Sequence, residues 1–374
     1  MENLTHSLVG LAVAKAGLER VSPYAMPLAV VAANAPDADI VTLVGGQFTY
    51  LEQHRGVSHS IVGTLAFALA LPLVLYAGER LWSRLRRRPP RARLGGLLIV
   101  SLVASASHPL LDYTNNYGVR PLLPWDARWV YGDLVFIFDP WLWLLLGGAC
   151  FLLTARTRGQ VVAWALLALV LTFVLLFVPQ RLDAPAPRAL WPLWFAGLAA
   201  LFIARRLDFG KRWGARLAIV SLALVVVYWA MLAGVHARAV EKTRAAADTL
   251  SGLHGESALG LAAMPTFADP LTWLCVVETD GAHYRFRLSL GGDAAAAARS
   301  AERFEKPRDE ARQVTERASA TDRRARIFLD FSRFPATLVT HDASGATLVR
   351  FADLRYTEPA GRPRGNFSLE VRAP

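Results

Sequence analysis

Long apolar segments constrain this chain more than any other feature of its sequence. Crossing a bilayer takes about 20 mostly apolar residues. Segments of that kind are Ile61–Trp82, Gly95–Leu111, Val135–Thr154, Gln160–Pro179, Ala189–Arg205 and Ala215–Val235. Two more polar segments, Leu4–Leu18 and Tyr24–Val44, precede them. The sequence therefore predicts a membrane all-α bundle of about eight segments, the first two short or re-entrant.

Composition divides the chain into two regions. Of the 374 residues, 54% are hydrophobic and only 19% are charged, which is less charge than a soluble domain usually carries. The apolar runs end near Val235, and the remainder has the composition of a soluble protein. We predict a membrane domain over residues 1–235, a helical connector over 236–264 and an extracytoplasmic β or α+β domain over 265–374. Six runs typical of strands support the last domain, namely WLCVVET, HYRFRLSL, RIFLDF, PATLVTHD, ATLVRFADL and NFSLEVR.

The net charge of +11 is explained by membrane topology rather than by nucleic-acid binding. The basic residues concentrate in short loops between apolar runs, above all in SRLRRRPPRAR at residues 83–93. Loops rich in arginine stay on the cytoplasmic side of a membrane. By alternation, the N-terminus and the C-terminal domain are predicted to lie on the outer, extracytoplasmic side. No nucleic-acid partner is expected, and the two cysteines form no CxxC motif.

Ionisable residues from five segments fall toward the predicted outer face. Polar residues inside membrane segments are expensive and usually functional, so their convergence indicates a site rather than chance. The set consists of His6, Asp37, Asp39, His54, His59, His108, Asp112, Asp133 and Asp139.

The string SHPLLDYTNNYG holds the sharpest local signal. His108 and Asp112 are four residues apart and lie on one helical face, where they share either one metal ion or a buried hydrogen bond. Pro109 is unfavourable inside a helix, which predicts a helix break near His108. Asn116 is a candidate for supporting hydrogen bonds or a turn residue.

The string HRGVSHS carries two histidines and an arginine. A loop holding His54 and a helix starting near His59 would let both rings point into one cavity, with Ser58 as the helix cap. Polarity at the membrane interface is the alternative for either ring. The guanidinium of Arg55 suits an anionic oxygen bound through two contacts.

Carboxylates occur in two further strings. In NAPDADIV, Pro36 disfavours helix before it, and Asp37 and Asp39 are either functional groups or turn caps. In GDLVFIFDPW, Asp133 and Asp139 flank an apolar turn. Pro140 fits the first turn of a helix with Asp139 as its N-cap.

Histidine and aspartate without thiolate suit zinc, and a carboxylate-rich set also suits manganese or iron. The number of candidates is enough for one to three ions. Such ions lower the pKa of water and clamp phosphoester oxygens during hydrolysis. These residues therefore favour a metal-dependent hydrolase.

The ordered strings THSLVG, NAPDADI, HRGVSHS, SHPLLDYTNNYG and FIFDP, within residues 1–150, resemble the YdjM-like inner-membrane family, described as metal-dependent hydrolases. Their order is also similar to the superfamily of zinc-dependent phospholipase C and single-strand nucleases. Carried over by motif, the resemblance implies the metal ligands His6, Asp37, His59, His108 and Asp112. The catalytic candidates are Asp37, Arg55 and Asp139. Further candidates for the metal site are Asp39, His54, Asn116 and Asp133.

The superfamily's later HxxxE pair is absent after Asp112. Asp133 and Asp139 substitute for it, or fewer ions bind, or catalysis is lost. The leading hypothesis is an enzyme that hydrolyses a phosphoester, lipid or lipid-linked, at the outer membrane face. A transporter using the same polar residues and a noncatalytic envelope protein are the alternatives. The sequence leaves the oligomeric state open.

Overall fold

The computed structural model describes residues 1–181, 186–361 and 365–373. These residues form two compact units, which are described separately. The first comprises Met1–Ala38, Arg55–Leu232 and Thr266–Asp269, and the second comprises Asp39–His54, Ala233–Pro265 and Pro270–Pro374.

The first unit is helical. Its helices are α1 (Asn3–Lys15), α2 (Ala25–Asn34), α4 (Ile61–Leu85), α5 (Leu94–Tyr113), α6 (Pro140–Leu142), α7 (Gly148–Thr154), α8 (Arg158–Arg181), α9 (Leu190–Arg206) and α10 (Phe209–Trp213), together with the first part of α11 (Ala215–His254). A π turn, Trp143–Gly147, joins α6 to α7. A core of large apolar side chains, including Leu8, Trp143 and Trp194, holds this unit together.

Five helices of the described chain are long and apolar enough to cross a membrane. They are Ala25–Gly45, Ile61–Leu85, Leu94–Tyr113, Arg158–Phe177 and Ala215–His254. The predicted count of about eight is not confirmed. Helix α1 has 13 residues and α9 has 17, and the apolar helix Pro140–Thr154 is also short of a span.

Two local predictions about helix ends need correction. Helix α5 runs unbroken through Pro109, so the predicted break at His108 is absent, although proline removes one backbone donor there. Ser60 rather than Ser58 caps α4, because its hydroxyl accepts from the amide of Gly63 at 3.2 Å. The chain does change conformation next to Pro36, because α2 ends at Asn34 and the 3-10 helix Ala35–Gly45 follows.

The second unit contains two small sheets with strand orders β1-β2-β3-β4 and β5-β6-β7. The strands are β1 (Ala258–Thr266), β2 (Asp269–Thr279), β3 (Ala282–Ser289), β4 (Glu302–Glu305), β5 (Pro335–His341), β6 (Thr347–Asp353) and β7 (Ser368–Arg372). Its helices are α3 (Gln47–Gln53), α12 (Ala294–Arg299), α13 (Asp309–Thr321) and α14 (Arg323–Phe331). The predicted strand-rich character of the C-terminal region is confirmed.

One element type and one boundary in this region differ from prediction. The string RIFLDF is helical in α14, where Ala325, Phe328 and Phe331 are buried at a spacing of three residues. Short apolar runs of this length fit either period, and Asp322 supports the helix by capping its first turn. The helix that follows residue 236 ends at His254 rather than near Ala263, because β1 begins at Ala258.

Candidate metal centre

Four predicted ligands meet in the first unit. His59 ends a 3-10 turn directly before α4, and His108 and Asp112 lie one turn apart on α5. Asp37 lies in the 3-10 helix after α2. One ligand atom from each residue can be chosen so that all lie within 4.8 Å of one another. The side chains of His59, His108 and Asp112 are 0–1% exposed, whereas that of Asp37 is 15% exposed. Asp37 therefore marks the more open side of the cluster.

Most of the separations within this group are close to those around one tetrahedral ion. His59 Nε2 lies 3.0 Å from His108 Nε2 and 3.3 Å from Asp37 Oδ1. His108 Nε2 lies 3.5 Å from the same Asp37 oxygen, and Asp112 Oδ2 lies 3.4 Å from each ring. Metal–ligand bonds of about 2.0–2.2 Å give ligand separations of about 3.3–3.6 Å in a tetrahedron. Four of these five separations fall in that range, and the 3.0 Å separation of the two rings is shorter.

A hydrogen bond at Nδ1 orients each of the two imidazoles. His108 Nδ1 lies 2.7 Å from the carbonyl oxygen of Ala33, which only accepts, so the ring proton resides on Nδ1. The lone pair of His108 Nε2 then points into the cluster. His59 Nδ1 lies 2.9 Å from the Ser58 hydroxyl, which leaves its Nε2 facing inward as well. Metal-binding histidines are commonly held in this way by a second hydrogen bond.

Buried polar atoms without hydrogen bonds provide an independent test of the fit. Asp112 Oδ2 and both ring nitrogens of His6 have no hydrogen-bond partner among the described residues, and both residues are fully buried. Leaving such groups unsatisfied is costly, and a cation would satisfy the carboxylate oxygen. His6 stacks on His108 with ring centroids 3.8 Å apart, and its Nε2 lies 3.5 Å from Asp112 Oδ1. The fifth predicted ligand thus adjoins the group of four.

Arg55 was predicted to bind an anionic oxygen, and in the structure it contacts the carboxylate of Asp112. Its side chain is buried, and its NH2 group donates to Asp112 Oδ1 at 2.9 Å. Its NH1 group donates to Asn115 Oδ1 at 3.0 Å and to the Gly118 carbonyl at 3.1 Å. The guanidinium also lies 4.6 Å from the ring centre of Tyr117. This pattern orients Asp112 and leaves its second oxygen facing the two histidines.

The remaining candidates lie outside the group of four. Asp139 caps α6 through the amides of Trp141 and Leu142, and it accepts from the Tyr228 hydroxyl at 2.9 Å. Asp133 and Asn116 are buried in the segment between α5 and α6.

The last two candidates belong to the second unit. Asp39 Oδ1 lies 3.0 Å from His54 Nδ1, and the His54 ring stacks on Tyr50.

Three supporting groups were not identified from the sequence. Asn3 donates to Asp37 Oδ2 at 2.9 Å, the Met1 amino group pairs with Asp112 Oδ1, and the Ala33 carbonyl orients His108. A backbone carbonyl carries no sequence signal. Asn3 lies one helical turn before Ser7 on α1 and close to His6 in sequence, which is its only local clue.

The family match falls mainly in the first unit. Residues 1–182 match the YdjM inner membrane protein family. The resemblance inferred from the ordered motifs is therefore confirmed over this region. The YdjM match contains Asp37, His59, His108 and Asp112, and it ends before the second unit's sheets begin.

One relative is the "Uncharacterized protein YfhP" of Bacillus subtilis (strain 168), which is 28% identical over 154 residues. That alignment covers 38% of this chain and 43% of the relative, so the chain spans less than half of the relative's length. No solved structure matches the chain.

Proposed function

We propose that this chain is a membrane-bound, metal-dependent hydrolase acting on a phosphoester, lipid or lipid-linked, at the outer face of the inner membrane. The observation that carries the proposal is the group Asp37, His59, His108 and Asp112, whose four donor atoms lie within 4.8 Å of one another. Two imidazoles and two carboxylates suit zinc best, and manganese or iron next. A bound ion of this kind acts as a Lewis acid and lowers the pKa of water to about 7.

The chain's own residues divide into three roles. His59, His108 and Asp112 would hold the ion from the buried side, since their side chains are almost fully buried. Arg55 would fix the Asp112 carboxylate through its bond to Oδ1. Asp37 lies on the more exposed side, where water and substrate have access. Its Oδ2 is held by Asn3, which leaves Oδ1 directed at the histidines.

The position of the group along the helices supports a membrane substrate. His59 precedes α4 by two residues, and Asp112 is the penultimate residue of α5. Both helices are apolar enough to span a membrane, and a bilayer crossed by them would have the group at the level where the helices leave the hydrocarbon. Lipid phosphates occupy that level. On α5, Leu110 is 60% exposed and Tyr113 is 43% exposed, which places lipid-compatible surface beside the buried ligands.

The segment after α5 adds an exposed apolar tip. Trp125 is 78% exposed and Leu122 is 47% exposed. The carbonyl of Pro121 accepts from the Ile61 amide at 3.0 Å, which holds this segment against the start of α4. Tryptophan is enriched at the interface between bilayer and water. We infer that this tip rests in the headgroup layer and brings the substrate phosphate to the metal centre.

Metal content and hydrolysis test the proposal together. The full chain is purified in detergent without chelators, and bound metals are quantified by elemental mass spectrometry beside Asp112→Ala. Asp126→Ala is the matched control, since Asp126 pairs with the exposed Arg128. We expect metal in the wild type and the control but little in Asp112→Ala. Phosphomonoester, phosphodiester and phospholipid substrates are then supplied in mixed micelles.

The two readouts separate the alternatives. Metal bound without turnover of any phosphoester would favour a noncatalytic envelope protein. Folded wild-type protein without metal would overturn the metal centre and return attention to transport. Cysteine labelling from either side of sealed vesicles, with a cysteine placed at Ala127, tests the predicted outer location.

A further inference from the structure

The turn between α4 and α5 carries a dense positive charge. Residues 84–93, here called the arginine loop, contain six arginines in ten positions. All six side chains are exposed. They are Arg84, Arg86, Arg87, Arg88, Arg91 and Arg93. The charge of this loop is therefore available to a partner.

The only acidic residue between positions 53 and 111 is Glu79, and the fold withdraws it from the surface. Glu79 is 6% exposed. Its Oε1 accepts from the Ser83 hydroxyl at 2.9 Å and from the backbone amide of Arg91 at 3.0 Å. The carboxylate therefore binds the backbone of the loop, and the bond helps to fix the loop's shape.

A second anchor holds the end of the loop. The amide of Arg93 donates to the Ser22 hydroxyl at 2.9 Å, and Ser22 is buried. Both anchors use backbone amides of the loop rather than its guanidinium groups. A loop fixed by its backbone presents its charges with little ordering cost on binding.

Exposed apolar side chains adjoin the charges. Trp82 is 48% exposed and Leu85 is 70% exposed, and the guanidinium of Arg86 lies 4.6 Å from the centre of the Trp82 ring. The loop joins two helices that are apolar enough to span a membrane. Tryptophan and arginine at such helix ends lie at the boundary between hydrocarbon and headgroups. The nearest anions at that depth are lipid phosphates.

We propose that the arginine loop is a binding surface for anionic phospholipid headgroups. Clusters of four to eight basic residues next to a membrane helix attract anionic lipids, and guanidinium binds phosphate through two parallel hydrogen bonds. The surface lies at the opposite end of α4 and α5 from the metal centre, about 37 Å away along α4. It is therefore independent of the proposed hydrolysis.

Lipid retention by the full chain tests this surface. Wild-type protein in detergent is exposed to equal amounts of phosphatidylglycerol and phosphatidylcholine, and retained lipids are counted by native mass spectrometry. The loop variant is R84Q/R86Q/R88Q/R91Q, which leaves the anchoring backbone amides in place. The control is R238Q/R299Q/R312Q/R317Q, which removes the same charge from exposed positions of the second unit.

We expect the wild type and the control to retain phosphatidylglycerol preferentially, and the loop variant to lose roughly tenfold or more of this preference. A lysine version of the loop variant should keep most of it. Equal retention by the wild type and the loop variant would overturn the proposal. Full displacement of phosphatidylglycerol from the wild type by inorganic phosphate would also overturn it, since it indicates a free-anion site.

Two further measurements keep the test decisive. If the quadruple variant does not fold, R86Q/R88Q replaces it, and an intermediate loss is expected. Metal content is measured in the same preparations. We expect metal content to be unchanged in the loop variant, which separates this surface from the metal centre.

Discussion

The Nε2 atoms of His59 and His108 face each other across 3.0 Å, although the residues are 49 positions apart in the chain. The Ala33 carbonyl holds the proton of His108 on Nδ1, so the facing atom of His108 carries a lone pair. The two Nε2 atoms and a carboxylate oxygen 3.4 Å from each are the kinds of atom that bind a metal ion. A shared cation is the simplest way to stabilise this arrangement.

Replacing Asp112 should remove bound metal, and Asp112→Asn should disturb the fold less than Asp112→Ala, which takes the carboxylate partner away from the buried Arg55. Among the described residues its Oδ2 has no hydrogen bond, so Asp112→Asn keeps the shape and the Arg55 contact but weakens the metal ligand. We expect at least a tenfold loss of metal affinity, measured by competition with a fluorescent chelator. Unchanged affinity in Asp112→Asn and Asp112→Ala would exclude this carboxylate as a ligand.

Arg55→Lys should lower metal affinity although the positive charge is retained. Lysine cannot reproduce the planar fork that joins Asp112 to Asn115 and Gly118. Loss of such supporting contacts typically costs about 10- to 100-fold in affinity. Arg128→Lys is the control, because Arg128 is 83% exposed. Equal affinities in the two variants would mean that Arg55 does not position Asp112.

Gly63→Ala should disturb the turn that carries His59. A Cβ atom at Gly63 would lie 2.0 Å from the Val57 carbonyl oxygen and 2.9 Å from Ser58 Cα, so that turn must move. Gly78→Ala on the same helix meets nothing within 4 Å and is the control. We expect reduced metal retention and a loss of about 1–3 kcal/mol in stability only in Gly63→Ala, measured by elemental analysis and thermal unfolding.

Trp125→Ala should affect lipid and soluble substrates differently, a prediction that depends on the proposed function. If the exposed tip rests in the headgroup layer, its removal weakens access to bilayer substrates by about tenfold without changing the metal centre. Hydrolysis of a soluble phosphodiester should be unaffected. Trp213→Ala, at another exposed tryptophan, is the control. Parallel losses on both substrates would argue against a role in the interface.

Glu256 should make the stability of the second unit depend on acid pH. Desolvation alone would raise the pKa of Glu256, but three hydrogen bonds to its carboxylate outweigh it and lower the pKa to about 2. The donors are Thr279, Tyr284 and Arg303. A lowered pKa means that this stabilisation is complete above the ordinary value of 4.5 and is lost as the pH falls toward about 2.

Glu256→Gln should therefore lose about 1–3 kcal/mol at neutral pH and show a flatter acid dependence. The measurement is thermal unfolding of the full chain between pH 7 and pH 3. Glu302→Gln, at an exposed position on β4, is the control. An unchanged acid dependence in Glu256→Gln would show that these contacts do not lower the pKa of the Glu256 carboxylate.

Sequence patterns were most informative where they reflect a local rule. Residues four apart share a helical face, so the pairing of His108 with Asp112 followed from spacing alone. Asp139 as a helix cap followed from Pro140 in the same way. The prediction of a strand at RIFLDF was wrong, because six residues can satisfy both the strand period and the helix period. The surrounding core, which buries Phe328 and Phe331, selects between them.

The sequence by itself determined the membrane character of the chain, the strand-rich C-terminal region and the ordered residues that the YdjM match contains. These depend on composition and periodicity, which short stretches of chain carry. Only the tertiary structure decided which residues lie close enough to share one ion and which residues contact them. Asp37, His59 and His108 come from separate elements, and the Ala33 carbonyl that orients His108 has no side chain to reveal it. Arg55 likewise became a partner of Asp112 only through packing, since contacts between distant elements follow from the whole fold.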